Sequence, residues 1–333
     1  MTKSPRISVA LAHDDCVNLA EHLPAGSVEL AYLDPPFFVG VDFAARASGG
    51  ASAGGTRTRA KGPVAYSDRW PSFDAYLESL TARFAVVRDL LSHEGTLWLH
   101  LDHRAVHEAK VILDRLFGRE RFLGEVVWVP GNGTKARKGP GTTHQTLLLY
   151  AKSDAYVWNA DAPELREPFA KTSLSMHFGN VDDEGRRYRD RTVNGKTYRY
   201  YADRGRAIGS VWTDCPSMVA NTPLRHEATG YPTQKPEKLL DRIVRASSRE
   251  GALVLDPYCG SGTTLVAAAK AGRHAFGCDV GDLAIRTTSS RLAGAGIPFT
   301  RSSPSAPSPA RPRATRRGPK APAPRGRRTD PAS

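Results

Sequence analysis

Short apolar runs alternate along the chain with stretches in which apolar positions recur every three or four residues, and this alternation predicts the architecture. Residues 27–33, SVELAYL, read as a buried strand that must stop at the two prolines of Asp34-Pro35-Pro36-Phe37. Over 73–91 the residues Tyr76, Leu80, Phe84, Val87 and Leu91 repeat at helical spacing, and a strand over 95–101 follows. A second amphipathic helix is expected near 104–116, closed by the glycine of Phe117-Gly118, with strands near 125–129 and 146–150. The pattern resumes late in the chain: a helix over 236–248, a strand over 252–255, a glycine turn, a helix to about 271 and a strand over 274–278. Strand and helix alternating in this way predict an α/β protein built on a parallel sheet.

Three segments break the alternation. Residues 44–63 are rich in Gly, Ser, Ala and base, which predicts a mobile loop directly after the DPPF turn. From 159 to 232 regular apolar repeats give way to Arg, Tyr, Asp and Gly, with a hairpin expected around Asn194-Gly195, so this stretch reads as an inserted recognition region. Residues 300–333, built on Pro, Ala, Ser and Arg, read as a disordered basic tail. The remaining 1–158 and 233–299 then form two halves of one domain, a division that suits a 333-residue chain with one large core.

Charge and cysteine content narrow the partners. The formal net charge is +13, but nine Lys or Arg against one Asp lie in 301–333, so the body is only mildly basic. Such an excess concerns association, and nucleic acid is the expected polyanion. Cys16, Cys215, Cys259 and Cys278 lie far apart with no C-x-x-C pair, which fits a reducing cytoplasm better than a zinc site or a disulfide framework. His100, His103 and His107 lack the carboxylate pattern of a metal site, so no metal is expected. No secretion signal or membrane-spanning apolar run is visible, and a soluble protein is expected.

Two motifs carry chemistry. In the run from Leu253 through Asp256, Tyr258, Cys259, Gly260, Ser261 and Gly262 to Thr263, a buried strand enters a Gly-x-Gly turn that opens a helix. Asp279 ends the next strand about twenty residues on, where a carboxylate can accept both hydroxyls of a ribose. No Lys follows the glycines, which excludes a P-loop, and the third dinucleotide glycine is missing, so an adenosyl cofactor without pyrophosphate fits best. The DPPF turn suits methylation of an exocyclic amine, a poor nucleophile whose lone pair is delocalised into the ring. Asp34 and a carbonyl within Pro35-Pro36 can each hold one N–H, the prolines fix the backbone, and Phe37 offers a flat face to a base that has left the duplex.

In the order DPPF first and DPYCGSGTT last, these motifs resemble the β-class DNA N6-adenine/N4-cytosine methyltransferases, a circular permutation with the catalytic half first. The resemblance covers most of 7–293 and includes His13-Asp14-Asp15-Cys16, His100-Leu101-Asp102, Glu125-Val126-Val127-Trp128 and the run Thr233-Gln234-Lys235-Pro236. It implies a Rossmann-like, mostly parallel seven-stranded sheet with helices on both faces, S-adenosyl-L-methionine as cofactor and double-stranded DNA as substrate. It also implies that Asp34, Pro35, Pro36 and Phe37 are catalytic or base-binding, and that Asp15, Thr233, Lys235, Asp256, Tyr258, Cys259, Gly260, Ser261, Gly262, Thr263 and Asp279 surround the cofactor. The basic, aromatic stretch holding Arg186, Arg187, Tyr188, Arg189, Arg191, Lys196, Tyr198 and Arg199 is the expected DNA contact. Asp at the first motif position favours adenine N6, since cytosine-N4 members of the class more often carry Ser there. Cytosine N4, an RNA or protein-amide substrate, and an inactive DNA-binding homologue are the alternatives. A homodimer and a restriction endonuclease partner are both compatible with the resemblance. Gln145 departs from the family, where Asp is common after the histidine.

Overall fold

The computed structural model describes residues 7–45, 62–131, 136, 138–218 and 223–302. Its centre is a nine-stranded sheet of β1 (Val9–His13), β2 (Val28–Leu33), β3 (Leu91–Leu101), β4 (Phe122–Trp128), β5 (Gln145–Ala151), β6 (Val211–Trp212), β7 (Leu253–Asp256), β8 (His274–Asp279) and β9 (Phe299–Ser302). The spatial order is β6-β4-β5-β3-β2-β7-β8-β1-β9. β5 runs antiparallel to both neighbours, and every other pairing is parallel. The fold is the largely parallel α/β architecture that the alternation predicts, in the Rossmann-like form that the resemblance implies.

Side chains leave each strand with a period of two, so the sheet carries a core on each face. Leu30, Tyr32, Trp98, Leu147 and Leu149 point to one face, where α4 (Glu237–Ser247), α5 (Thr263–Lys270) and α6 (Asp282–Gly294) pack. Ala31, Leu33, Leu97, Leu99, Leu148 and Tyr150 point to the other, which α1 (Phe73–Leu90) and α2 (Val106–Phe117) cover. Each fully buried leucine among them contributes roughly 1.5–3 kcal/mol. α1 starts where Ser72 Oγ accepts the Ala75 N–H at 3.1 Å, and it buries the predicted stripe of Tyr76, Leu80, Phe84 and Val87. α2 ends at Gly118, whose φ of 97° suits glycine.

The sheet has two strands more than the seven expected, and both are short edge strands. β6 contributes only two residues, too few for a periodic pattern to register, and β9 extends to Ser302, into the segment read as tail from 300. Ile297 and Phe299 pack on the core there, which holds β9 beside β1. The rest of the tail, 303–333, lies outside the described residues, as does most of the expected loop at 44–63. The ends of that loop pair as antiparallel strands, Asp42–Ala44 with Val64–Ser67.

Within 159–232, α3 (Lys171–His177) precedes a hairpin of strands Arg187–Val193 and Lys196–Tyr201. Asn194 and Gly195 at its tip have φ of 50° and 76°, the two positive values that a tight type I′ turn requires. The segment returns to the main sheet through β6, and Trp212 is buried in the core. Asp214 just beyond receives both guanidinium nitrogens of the buried Arg242 on α4, at 2.9 and 2.6 Å, which holds its carboxyl well below the usual carboxylate range. Among the described residues no helix is long and apolar enough to cross a membrane.

Candidate active site

β2 and β7 are parallel neighbours, with Leu30 opposite Val254 and Ala31 opposite Leu255, so the turns that follow them leave the same edge of the sheet. Asp34, Pro35, Pro36 and Phe37 after β2, and Asp256 through Ser261 after β7, line one cleft of about 1360 Å³. Pockets for a single small ligand are roughly 300–1,000 Å³, so this space suits two occupants.

The DPPF turn is braced from behind. Phe38 has a φ of 60°, a conformation disfavoured for any side chain but glycine, and several contacts impose it. The fully buried Asp68 accepts the N–H groups of Phe38 at 3.2 Å and Val39 at 2.7 Å and the Trp70 indole N–H at 3.0 Å. Phe38 also packs on Phe73 and Tyr76, and the Tyr76 hydroxyl donates to the Pro36 carbonyl at 2.7 Å. Sequence reasoning missed Asp68 and the Tyr76 hydroxyl. Asp68 belongs to no pattern, and Tyr76 registers only as an apolar helix position.

Lys235 bridges the two halves. Its ammonium donates to both oxygens of Asp34, one at 2.7 Å, and lies 5.2 Å from the centre of the Phe37 ring. Burial raises the Asp34 carboxyl, and Lys235 opposes that rise. The backbone carbonyl of Lys235 accepts from Thr263 Oγ1 at 3.1 Å, and Arg291 donates to the same hydroxyl at 2.7 Å. Gln234 fixes the loop around it, accepting from Thr229 N–H and Oγ1 and donating to the Glu227 carbonyl. Thr233, with a φ of 61°, lines the cleft and lies 3.3 Å from the Tyr66 hydroxyl. Lys235, expected among the cofactor contacts, therefore also touches the DPPF turn.

On the cofactor side, Asp279 accepts the N–H groups of Gly260 at 2.9 Å and Gly281 at 2.8 Å, one on each oxygen, and burial raises its carboxyl. Burial likewise raises Asp256 to about 7, against hydrogen bonds from Thr264 and the Tyr258 N–H. Gly260 has a φ of 49°, which favours glycine, and a Cβ there would press on the Tyr231 ring at 3.1 Å. Gly262 is absent from the cleft wall: a Cβ there would meet Thr288 of α6 at 2.7 Å, so this glycine serves helix packing. Cys259 and Ser261 line the cleft beside it, and Tyr258 does so with its hydroxyl buried and unpaired among the described residues. Asp15 lines the same cleft, paired with Arg83 at 2.6 Å and accepting the Val17 N–H at the start of a short 3₁₀ helix. Three shielded carboxylates, Asp34, Asp256 and Asp279, thus face one space with Lys235, an environment that favours a cationic ligand.

None of the eight residues expected at DNA lies in this cleft. Arg186 pairs with Asp203, and Arg199 pairs with Asp190 while stacking 3.8 Å above the Tyr188 ring. Arg187 donates to the Phe178 and Leu174 carbonyls, and Arg189 lies over Phe178. These four arginines build the hairpin. Arg191, Lys196 and Tyr198 stand exposed near its tip.

Comparison with known proteins points the same way. The DNA methylase family model N6_N4_Mtase matches residues 28–289. Type II methyltransferase M.EcaI of Enterobacter cloacae is 28% identical over 306 residues, covering 80% of this chain but 64% of that protein, just under two thirds of its length. YhdJ of Escherichia coli is 26% identical over 284 residues, 85% of this chain and 82% of that one. In fold, the chain is similar to TTHA0409 of Thermus thermophilus complexed with S-adenosyl-L-methionine, with a TM-score of 0.51, 19% identity, and coverage of 89% and 99%.

Proposed function

The chain belongs to the N6/N4 DNA methylase family, and from that premise we propose that it methylates adenine N6 at a specific sequence in double-stranded DNA. The observation that carries this reading is the junction of the DPPF turn and the glycine bend in one cleft, tied through Lys235. S-adenosyl-L-methionine supplies the electrophilic methyl group on a cationic sulfur. Asp256, Asp279 and the bend at Gly260 are the groups suited to hold it.

The rest of the chemistry belongs to the turn. Asp34 accepts one N–H of the target amine. A carbonyl within Pro35-Pro36 accepts the second N–H, and the Tyr76 hydroxyl on the Pro36 carbonyl holds that pair in place. Held at both hydrogens, the nitrogen lone pair is drawn out of conjugation and turned toward the cofactor side of the cleft. Phe37 offers its ring face to the base, and Lys235 keeps Asp34 an acceptor despite its burial. Alignment of this kind contributes most of the rate in a direct displacement. Asp at the first motif position favours adenine, and the relative YhdJ is a DNA adenine methyltransferase.

Sequencing modified bases in a plasmid grown with the expressed gene tests the reading. N6-methyladenine at one recurring sequence is expected; N4-methylcytosine alone would overturn the choice of base, and unmodified DNA would overturn the activity.

Two further outcomes follow. Asp256 is a neutral acid below about 7 and a carboxylate above it, and a sulfonium favours the carboxylate. The dissociation constant for S-adenosyl-L-methionine should therefore fall about three- to tenfold from pH 6 to pH 8. That for S-adenosylhomocysteine, which lacks the charge, should change little. Parallel pH profiles from calorimetry would place Asp256 away from the sulfur.

At the hairpin, Arg191, Lys196 and Tyr198 are the residues free to meet DNA. Changing Arg191 and Lys196 together to Ala should flatten the slope of log affinity against log salt by about 1.8. An unchanged slope in fluorescence titrations would remove the hairpin from the interface.

A further inference from the structure

Asp34 divides the sheet edge in two. On one side β7, β8 and β1 lead to Asp256, Gly260, Asp279 and Asp15; on the other, β3, β4 and β5 bring Asp102, Trp128 and Gln145 to the cleft, with Ser217 beyond β6. The cofactor groups occupy the first side, so the second is the wall left for the base. Two of its polar atoms lack partners. Gln145 Oε1 and Ser217 Oγ are both buried without a hydrogen bond among the described residues, although both residues line the cleft. A buried polar atom of this kind calls for a partner: Ser217 Oγ is open to one at the cleft, whereas Gln145 Oε1 has a candidate behind the wall.

Behind Gln145 lies a buried chain of polar groups. The Tyr32 hydroxyl is 2.7 Å from His100 Nδ1, and His100 is completely buried against Phe37 and Trp128. Burial, with Lys235 nearby, pushes the imidazole well below its ordinary pKa, and burial raises the Tyr32 hydroxyl, so both are neutral. In the tautomer in which the Tyr32 hydroxyl donates to Nδ1, the imidazole proton sits on Nε2. That N–H has no closed hydrogen bond of its own, and Gln145 is the polar side chain that acts on the ring. The amide oxygen of Gln145 is thereby drawn toward His100, and its NH₂ is left for the cleft.

We propose that Gln145 is a specificity-determining residue, its amide N–H donating to the ring nitrogen beside the amine-bearing carbon of the flipped base, N1 of adenine, with Tyr32 and His100 as positioning residues behind it. This rests on the reading of the chain as a base-amine methyltransferase. Guanine and thymine carry an N–H at the equivalent ring position, so a donor there rejects them while accepting the amino bases.

The test pairs a protein change with a substrate change, on duplexes carrying the recognised site with adenine or with 1-deazaadenine, in which N1 becomes C–H and the amine is kept. Wild-type kcat/KM is expected to fall about ten- to a hundredfold on the deaza duplex. Gln145→Leu should show a similar loss on natural adenine and then no further loss on the deaza duplex. Equal deaza penalties in wild type and variant would overturn the proposal. Affinity for S-adenosyl-L-methionine should be unchanged in the variant; if Gln145→Leu does not fold, Gln145→Met, closer in shape, takes its place. Methylation of cytosine by the wild type would instead mark failure of the adenine reading, and the same cycle with 3-deazacytosine then decides the role of Gln145.

Discussion

Asp34→Ala is expected to lower kcat by about a thousandfold or more while the dissociation constant for S-adenosyl-L-methionine stays within about threefold, because the lost contact is one that matters most as the amine reacts. The residue lines the cleft between its two sides with its carboxylate on Lys235, whereas the glycine bend is organised by Asp279. Single-turnover methylation and calorimetry separate the two quantities. Removing the carboxylate also strands the Lys235 ammonium, which is only 9% exposed, so the Ala variant should lose stability as well. Asp34→Asn keeps one acceptor oxygen and should retain more activity than Ala. Loss of cofactor affinity in step with turnover, in a folded variant, would show that Asp34 acts on the cofactor through Lys235 and Thr263.

Asp279→Ala should do the reverse: weaken S-adenosyl-L-methionine by about thirtyfold or more, with much of kcat regained at saturation. The carboxylate holds the N–H groups of Gly260 and Gly281 together, and each oxygen of this cleft-lining residue retains acceptor capacity. Deletion therefore removes both an acceptor suited to ribose hydroxyls and the brace on the bend. Asp279→Asn, able to accept at one oxygen only, should fall between. An unchanged dissociation constant would contradict the ribose assignment.

The frame of the molecule was legible because burial leaves a periodic trace. The helix stripe of Tyr76, Leu80, Phe84 and Val87, the apolar run of β2 and the Asn194-Gly195 turn all follow from local rules, and each lies where those rules put it. Polar contacts across the chain leave no such trace. Lys235 and Asp34 are 201 positions apart, and nothing in either neighbourhood specifies the other. Asp68, fully buried beneath the DPPF turn, reads in sequence as an ordinary loop acid. Composition also overstates availability: four of the six basic residues expected at DNA are engaged within the hairpin region, in Arg-Asp pairs, bonds to carbonyls and stacking on aromatic rings.

Residue 235 makes the first and last thirds of the chain answerable to each other. Its side chain reads the identity of position 34, and its main chain is gripped by the first turn of α5. A hybrid joining the front of one relative to the back of another would need the acid and the lysine to arrive as a matched couple, because a carboxylate meeting a neutral side chain there would be left buried and alone. Inheritance of the two halves is in that sense indivisible, although no stretch of sequence connects them directly.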